Sequence, residues 1–391
     1  MERVRVGVVG AGFLAETRAR CWALARGADV AGIASRRPET AQAWAERHGD
    51  VRVFGTVEEM FGSPDIDLVD LCVPNLVHRS LTEQAAQAGK HVLCTKPLTA
   101  YVGQDLAEDA SDREIAERDR GTMWKVAEAD AQAMVDAAKA ANVRLFYGEN
   151  WLYAPAFERA RGLLATADTT LLEMRGWEGH SGSHSPYSKA WRNTGGGALL
   201  RLGAHPIGAM LHLKRVEGVR RRGRPIRPVS VMADVGDLTA AAGAGEMRLA
   251  TGWQDVENWG CAILQFEDGS RGTAYGSDTI LGGMESKLEL YGANAHLKVN
   301  MSPHDMLRAY APDAGVLGDA YIMEKVDGGA GWTTPLPNED WSSGHLQMCQ
   351  SFADSLRSGE ETAAEGILGL EVTRVIYAAY VAAAEGRRVE L

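Results

Sequence analysis

A short β-branched stretch, Arg3-Val4-Arg5-Val6-Gly7-Val8-Val9, runs directly into Gly10-Ala11-Gly12-Phe13-Leu14-Ala15 and then into helical composition. The chemistry such a turn offers is the holding of a diphosphate. Gly10 permits the turn, Gly12 lets backbone approach a pyrophosphate, and Ala15 is small enough for the helix to lie on the strand, while the helix start supplies unpaired N–H groups and positive dipole potential. About 20 residues on, where an acidic side chain would bind an adenosine ribose, the chain reads Ser35-Arg36-Arg37. A carboxylate there would repel a 2′-phosphate, whereas Ser and Arg would hold one through charge-assisted bonds, so NADP is expected ahead of NAD; the alternative is that both arginines point into water.

The elements that must position this turn follow from patterning. Ala28–Ser35, Asp65–Pro74, Lys90–Thr99 and Val143–Asn150 read as strands, alternating with helical stretches such as Leu76–Gly89 and Lys125–Ala141. That order means βαβ units and a parallel sheet over residues 1–150. Residues 101–122 are strongly charged without a sustained apolar face, and read as an exposed insertion, either partly helical near the site or a purely solvating loop. From 151 to 391 the pattern changes: segments such as Gly260–Ser277 and Ser286–Asn300 alternate and break at Asp-Gly or Gly-Ala turns, the mark of antiparallel strands.

Composition narrows the classes. The 391 residues, 45% of them hydrophobic, suffice for two cores, and a net charge of -11 gives no cationic excess for nucleic acid or an anionic bilayer. The one basic run, Lys214–Arg227, reads as surface. No apolar segment approaches membrane-spanning length and no signal-type segment is evident, so a cytoplasmic protein is expected. The five cysteines are scattered, and His180 and His184 lie in a Gly/Ser/Pro-rich stretch without a carboxylate or thiol to complete a shell; no metal site is expected.

Gly10–Ala15, Cys72–His78 (CVPNLVH), Gly89–Thr99 (GKHVLCTKPLT) and Gly195–Leu213 (GGGALLRLGAHPIGAMLHL) together resemble the Gfo/Idh/MocA oxidoreductases, over essentially the whole chain. The resemblance implies an N-terminal Rossmann domain with a doubly wound parallel sheet, then a C-terminal α/β domain whose large open, mostly antiparallel sheet makes a homodimer or homotetramer. It implies Lys96 of Thr95-Lys96-Pro97 as a proton-handling group at the nicotinamide, Thr95 standing where the family usually has Glu. It implies His205 as a second proton acceptor. Arg201 replaces the family's usual Asp four residues earlier; it cannot be a base but can bind substrate. His205 read by itself is equally a core histidine. Phe13, Leu14, Cys72, Pro74, Asn75, His78 and Pro97 are expected around the cofactor, although Asn75 and His78 also suit a plain helix start. For a carbohydrate or cyclitol substrate, Asn150, Trp151, Tyr153, His180, His184, Tyr187 and Arg192 supply the polar groups and aromatic faces. The expected activity is hydride transfer between NAD(P) and a secondary alcohol of a sugar, glycoside or cyclitol. Two alternatives stay open: redox-neutral glycoside cleavage through transient oxidation, and a non-catalytic NADP-binding sensor or partner subunit.

Overall fold

A computed structural model describes the chain apart from residues 1, 184, 243–246, 304–305, 314, 319, 324 and 326–329. The first half alternates β1 (Val4–Val9), α1 (Phe13–Leu24), β2 (Ala28–Ala34), α2 (Pro38–His48), β3 (Arg52–Val53), α3 (Val57–Gly62), β4 (Leu68–Leu71), α4 (His78–Gln87), β5 (His91–Thr95), α5 (Asp112–Ala116), α6 (Arg120–Ala140) and β6 (Leu145–Gly148). Its six strands pair in parallel in the order β3-β2-β1-β4-β5-β6. Helices cover both faces, so Val4, Val6 and Val8 of β1 are fully buried. The direction of winding reverses between β1 and β4, and the glycine turn opens at that switch point.

The second half runs through α7 (Pro155–Ala167), β7 (Leu171–Gly179), α8 (Trp191–Thr194), α9 (Ala198–Arg201), α10 (Ala204–Arg222), β8 (Pro228–Gly236), β9 (Trp259–Phe266), β10 (Arg271–Ser277), β11 (Glu285–Gly292) and β12 (His296–Asn300). The small hairpin β13 (Ala309–Ala311) and β14 (Gly331–Thr333) follows, then α11 (Glu339–Ser342), α12 (His345–Ser358), α13 (Gly366–Glu385) and β15 (Val389–Glu390). Seven strands form an open sheet, β12-β11-β7-β10-β9-β8-β15, in which β7 and β10 run parallel and the other pairs antiparallel. Inward Ala262, Leu264 and Phe266 of β9 are fully buried, and outward Ile263 is exposed. The last helices return to the first half. Phe146 of β6 bridges Glu365, the Tyr147 N–H donates to the Ala364 carbonyl at 2.8 Å, and α12 lies along α1, where the Arg26 N–H donates to Gln350 at 2.8 Å.

Three expectations need correction. Residues 101–122 are not a purely solvating loop: half of the positions are exposed and the segment is partly helical, as one of the two alternatives had it, but Tyr101, Val102, Ile115 and Ala116 are buried, α5 begins in a Ser111/Glu114 capping box, and α6 starts at Arg120. Its few apolar anchors are too widely spaced to give a periodic signal, and their partners come from far along the chain, the Trp191 indole N–H donating to the Tyr101 carbonyl at 3.0 Å. Secondly, α13 is long and apolar enough to cross a membrane; Glu371 and Arg374 interrupt its apolar runs and concealed it, and 72% of its apolar window is buried inside the protein, as befits a core helix. Thirdly, the basic run does not begin as surface. Lys214 is fully buried on α10, with Nζ 2.7 Å from Glu217 and 2.8 Å from Asp268 at the β9–β10 turn, so an ion pair staples α10 to the sheet.

Replacing Lys214 by Met leaves two carboxylates with little exposure facing apolar atoms. The expected loss is about 3 to 5 kcal/mol of unfolding free energy, read as a lower urea midpoint, because breaking a buried pair on one side strands the other. An unchanged midpoint would show that the staple contributes nothing.

Candidate active site

The cleft between the two sheets has a volume of about 1190 Å³, and its wall begins at Gly12, Phe13 and Leu14. Gly10 has φ +104°, and a Cβ there would meet the Cys72 carbonyl at 2.3 Å, so the turn demands glycine. A Cβ on Gly12 would meet nothing within 4 Å, which leaves room above the start of α1. Gly12 caps α1 without any side-chain bond, so its first-turn N–H groups face that room. Cys72, Pro74 and Asn75 continue the wall, and Asn75 Nδ2 donates to the Thr194 carbonyl at 2.8 Å. A nicotinamide dinucleotide fits this donor set. Beside Gly10, whose N–H donates to the Ala34 carbonyl at 2.8 Å, β2 ends in Ser35, whose hydroxyl lies 3.0 Å from that of Thr40, and in exposed Arg36 and Arg37, outside the cleft wall.

Thr95, Lys96, Asn150, Trp151, His180, Tyr187 and His205 also line the cleft. Lys96 lies before a cis Pro97 and donates from Nζ to the Arg201 carbonyl. Pro97 itself is buried beneath. His205, the second residue of α10, stacks on Trp151 with ring centroids 5.6 Å apart and 14° between planes. Its Nδ1 lies 2.7 Å from Oε1 of Glu149, a wholly buried carboxylate that also accepts the Trp151 N–H at 3.1 Å. A carboxylate only accepts, so Nδ1 carries hydrogen and Nε2 of the neutral ring is left as the acceptor. Burial lowers the His205 pKa below its ordinary value; Glu149 opposes this and the Lys96 charge reinforces it.

Besides Ser35, Arg36, Arg37 and Pro97, four further expected residues stand off the cleft wall. His78 is wholly buried, its Nε2 2.9 Å from the Val73 carbonyl and its Nδ1 3.1 and 3.2 Å from those of Pro97 and Leu98, so it sits between two cleft loops and does not line the cleft. Tyr153 is core, its hydroxyl 2.7 Å from Thr362 and accepting the Ala364 N–H at 3.0 Å. Arg192 is drawn away to Asp112 and the Ala110 carbonyl, and the Arg201 side chain to buried Asp278, over the Trp253 ring. Opposite charge on a neighbouring element decides each arginine's direction, and that element lies far off in sequence. His184 lies outside the described residues. The sequence reading missed three further cleft-side groups. Glu149 sits one residue before the supposed domain boundary, Glu178 is the last inward carboxylate of β7, and His345 opens α12. The alternating pattern of β7 was a signal that could have found Glu178; for Glu149 and His345 there was none.

Comparison with known proteins agrees with this geometry. Residues 4–118 match the oxidoreductase family with the NAD-binding Rossmann fold, and residues 167–298 match the GFO/IDH/MocA C-terminal domain. Levoglucosan dehydrogenase of Pseudarthrobacter phenanthrenivorans is 26% identical over 338 residues, covering 80% of this chain and 78% of its own. Myo-inositol 2-dehydrogenase of Thermotoga maritima is 21% identical over 390 residues, 99% of this chain and 98% of that one. The crystal structure of GenD2 from gentamicin A biosynthesis, in complex with NAD, superposes with a TM-score of 0.79 at 25% identity, covering 100% and 97% of the two chains.

Because Glu149 raises the His205 pKa against burial, Glu149→Gln moves that pKa further down. Imidazole titration by NMR is expected to place the wild-type midpoint below 6.5 and the variant's lower still. A midpoint that rises or stays put would dissolve the pair.

Proposed function

The chain belongs to the Gfo/Idh/MocA family of oxidoreductases, and on that premise we propose that it moves hydride between a nicotinamide dinucleotide and a secondary alcohol carbon of a sugar, glycoside or cyclitol. The observation that carries this reading is the His205–Glu149 pair at 2.7 Å, opening on the same cleft as Lys96 and the start of α1. The bound dinucleotide supplies the hydride acceptor at its nicotinamide ring. His205 takes the hydroxyl proton at Nε2, Glu149 steadies the imidazolium that forms, and the Lys96 ammonium, held by the Arg201 carbonyl, stabilises the negative charge developing on the substrate oxygen. Trp151, stacked on His205, fixes the ring plane, and Asn150, His180 and Tyr187 offer hydrogen bonds to the remaining hydroxyls. A carboxylate behind the imidazole supports an enzyme over a non-catalytic sensor, since it supplies from Glu149 the partner that Arg201 cannot.

Ser35, Arg36 and Arg37 support NADP ahead of NAD. Fluorescence titration of the wild type is expected to show the tighter dissociation constant for NADP, and the Arg36→Ala/Arg37→Ala variant to lose about tenfold of it while NAD binding barely changes. Tighter wild-type binding of NAD would reverse the preference. Exposed Met232 and Ile263, neighbours on the outer face of the open sheet, support packing against a second copy. Light scattering should then report a dimer or tetramer that Ile263→Asp dissociates; a monomeric wild type would dismiss it.

Oxidation of a polyol and sugar panel, followed by reduced-cofactor absorbance, tests the reaction. Lys96→Ala and His205→Ala are each expected to lower kcat by about 10² to 10⁴. The base works unprotonated, so kcat/KM holds down to about pH 6.5 and falls as pH drops through the depressed His205 pKa. Full turnover in either variant would discard its role.

A further inference from the structure

We propose that His345 is a further cofactor-contacting residue, donating a hydrogen bond from Nε2 to an oxygen of the dinucleotide's ribose–phosphate backbone. The inference rests on the dinucleotide reading above and assigns a contact to the C-terminal half of the chain.

The placement of the ring is over-determined. His345 lines the cleft at the first residue of α12, directly after Gly344, which has φ +90° and where a Cβ would meet the Asn150 carbonyl oxygen at 2.3 Å and the Ala154 nitrogen at 2.4 Å. Asn150 Nδ2 donates to the Ser343 carbonyl at 2.7 Å, so the start of α12 is fixed to the turn that follows Glu149. On its other side, Arg20 of α1 pairs with Asp340 of α11 at 2.8 Å, and Arg18 reaches Met348 and Cys349. His345 therefore lies against α1, the helix that opens at the pyrophosphate turn, with Thr17 and Arg20 of that helix sharing its wall of the cleft.

The chemistry of the ring follows. Nδ1 is sealed from solvent and has no hydrogen-bond partner among the described residues. A sealed lone pair is tolerated better than a sealed N–H, so the hydrogen belongs on Nε2. Burial and four neighbouring cationic or titratable groups, Arg18 and Arg20 of α1, His205 of α10 and Lys96 after β5, hold the His345 pKa well below its ordinary value. Of the α11 carboxylates on the same wall, Asp340 is occupied with Arg20 and Glu339 accepts from the Tyr321 hydroxyl. The ring is thus a neutral donor throughout the working range. Such a group suits a ribose hydroxyl or phosphate oxygen and adds no charge beside the hydride-transfer site.

The experiment measures dissociation constants for NAD and NADP by tryptophan fluorescence in the wild type, His345→Leu and His345→Gln. His345→Leu is expected to weaken both dinucleotides by about tenfold, the value of one hydrogen bond, and His345→Gln, which keeps a donor, to recover most of it. The sugar KM at saturating dinucleotide should stay unchanged, and wild-type affinity should be flat between about pH 6 and 9, with no strengthening as pH falls through about 6.5. If His345→Leu does not fold, His345→Asn, too short to reach, should show the same weakening. Wild-type affinity in the Leu or Asn variant, or a loss confined to the sugar KM, overturns the contact while leaving the proposed reaction standing. Failure of the wild type to bind either dinucleotide overturns both.

Discussion

A carboxylate with no solvent exposure must have its charge answered within the protein, and the placement of Glu149 makes that demand at the centre of the molecule. It stands just past the end of β6, held there by the parallel sheet, and its answer is an imidazole from the other half of the chain. Meeting that condition fixes where α10 begins. The Lys214 ion pair then fastens the same helix to the open sheet further along, so a single helix carries the constraint from the His205 imidazole into the second core. The return of α12 and α13 onto α1, α6 and β6 closes the arrangement, because the two sheets could otherwise shift against each other and open the pair.

The floor of the cleft shows a matched set of charges. Arg18 and Asp70 lie 3.7 Å apart with no exposure, Arg201 meets Asp278, and Lys96 shares its neighbourhood with the His205–Glu149 pair. Burial drives the Asp70 and Asp278 pKa values up, and the facing arginine draws each back down. Burial, reinforced by the Lys96 charge, outweighs Glu149 and keeps the His205 pKa below its ordinary value. With Nδ1 facing Glu149, the neutral ring keeps Nε2 as its acceptor.

The architecture was legible because its signals are local: a strand, a glycine turn and a helix in forty residues, then alternating apolar positions broken by Asp-Gly turns. Residues whose place depends on one element showed in the same way, as with Gly12, Cys72, Asn75 and Lys96 on loops at strand ends. What failed depended on pairing across the fold. Nothing in the neighbourhood of Arg192 indicates that Asp112 awaits it, and Tyr153 looks like a pocket aromatic until Thr362 and the Ala364 backbone claim its hydroxyl. Tyr101 sits in a run of charge that reads as solvent-facing, yet its partners, Trp191 and Tyr377, are about 90 and 276 positions away. His78 stands beside the cleft loops but is turned into the core, among the carbonyls of Val73, Pro97 and Leu98.

The exchange of an expected Asp for Arg201 becomes intelligible in these terms. An acid at position 201 would stand at the end of α9, just ahead of α10, and so would come from the same half of the chain as His205. Here Arg201 faces Asp278, at the end of β10, and contributes its backbone carbonyl to Lys96. The carboxylate that meets the imidazole comes instead from the opposite sheet. Orientation supplied across the cleft couples the seating of the imidazole to the closure of the two halves: a displacement that parted β6 from α10 would unseat the ring, whereas a partner from its own half would move with it. The seating of the imidazole and the packing of the C-terminal helices on the first sheet are therefore one constraint, carried by a contact of 2.7 Å.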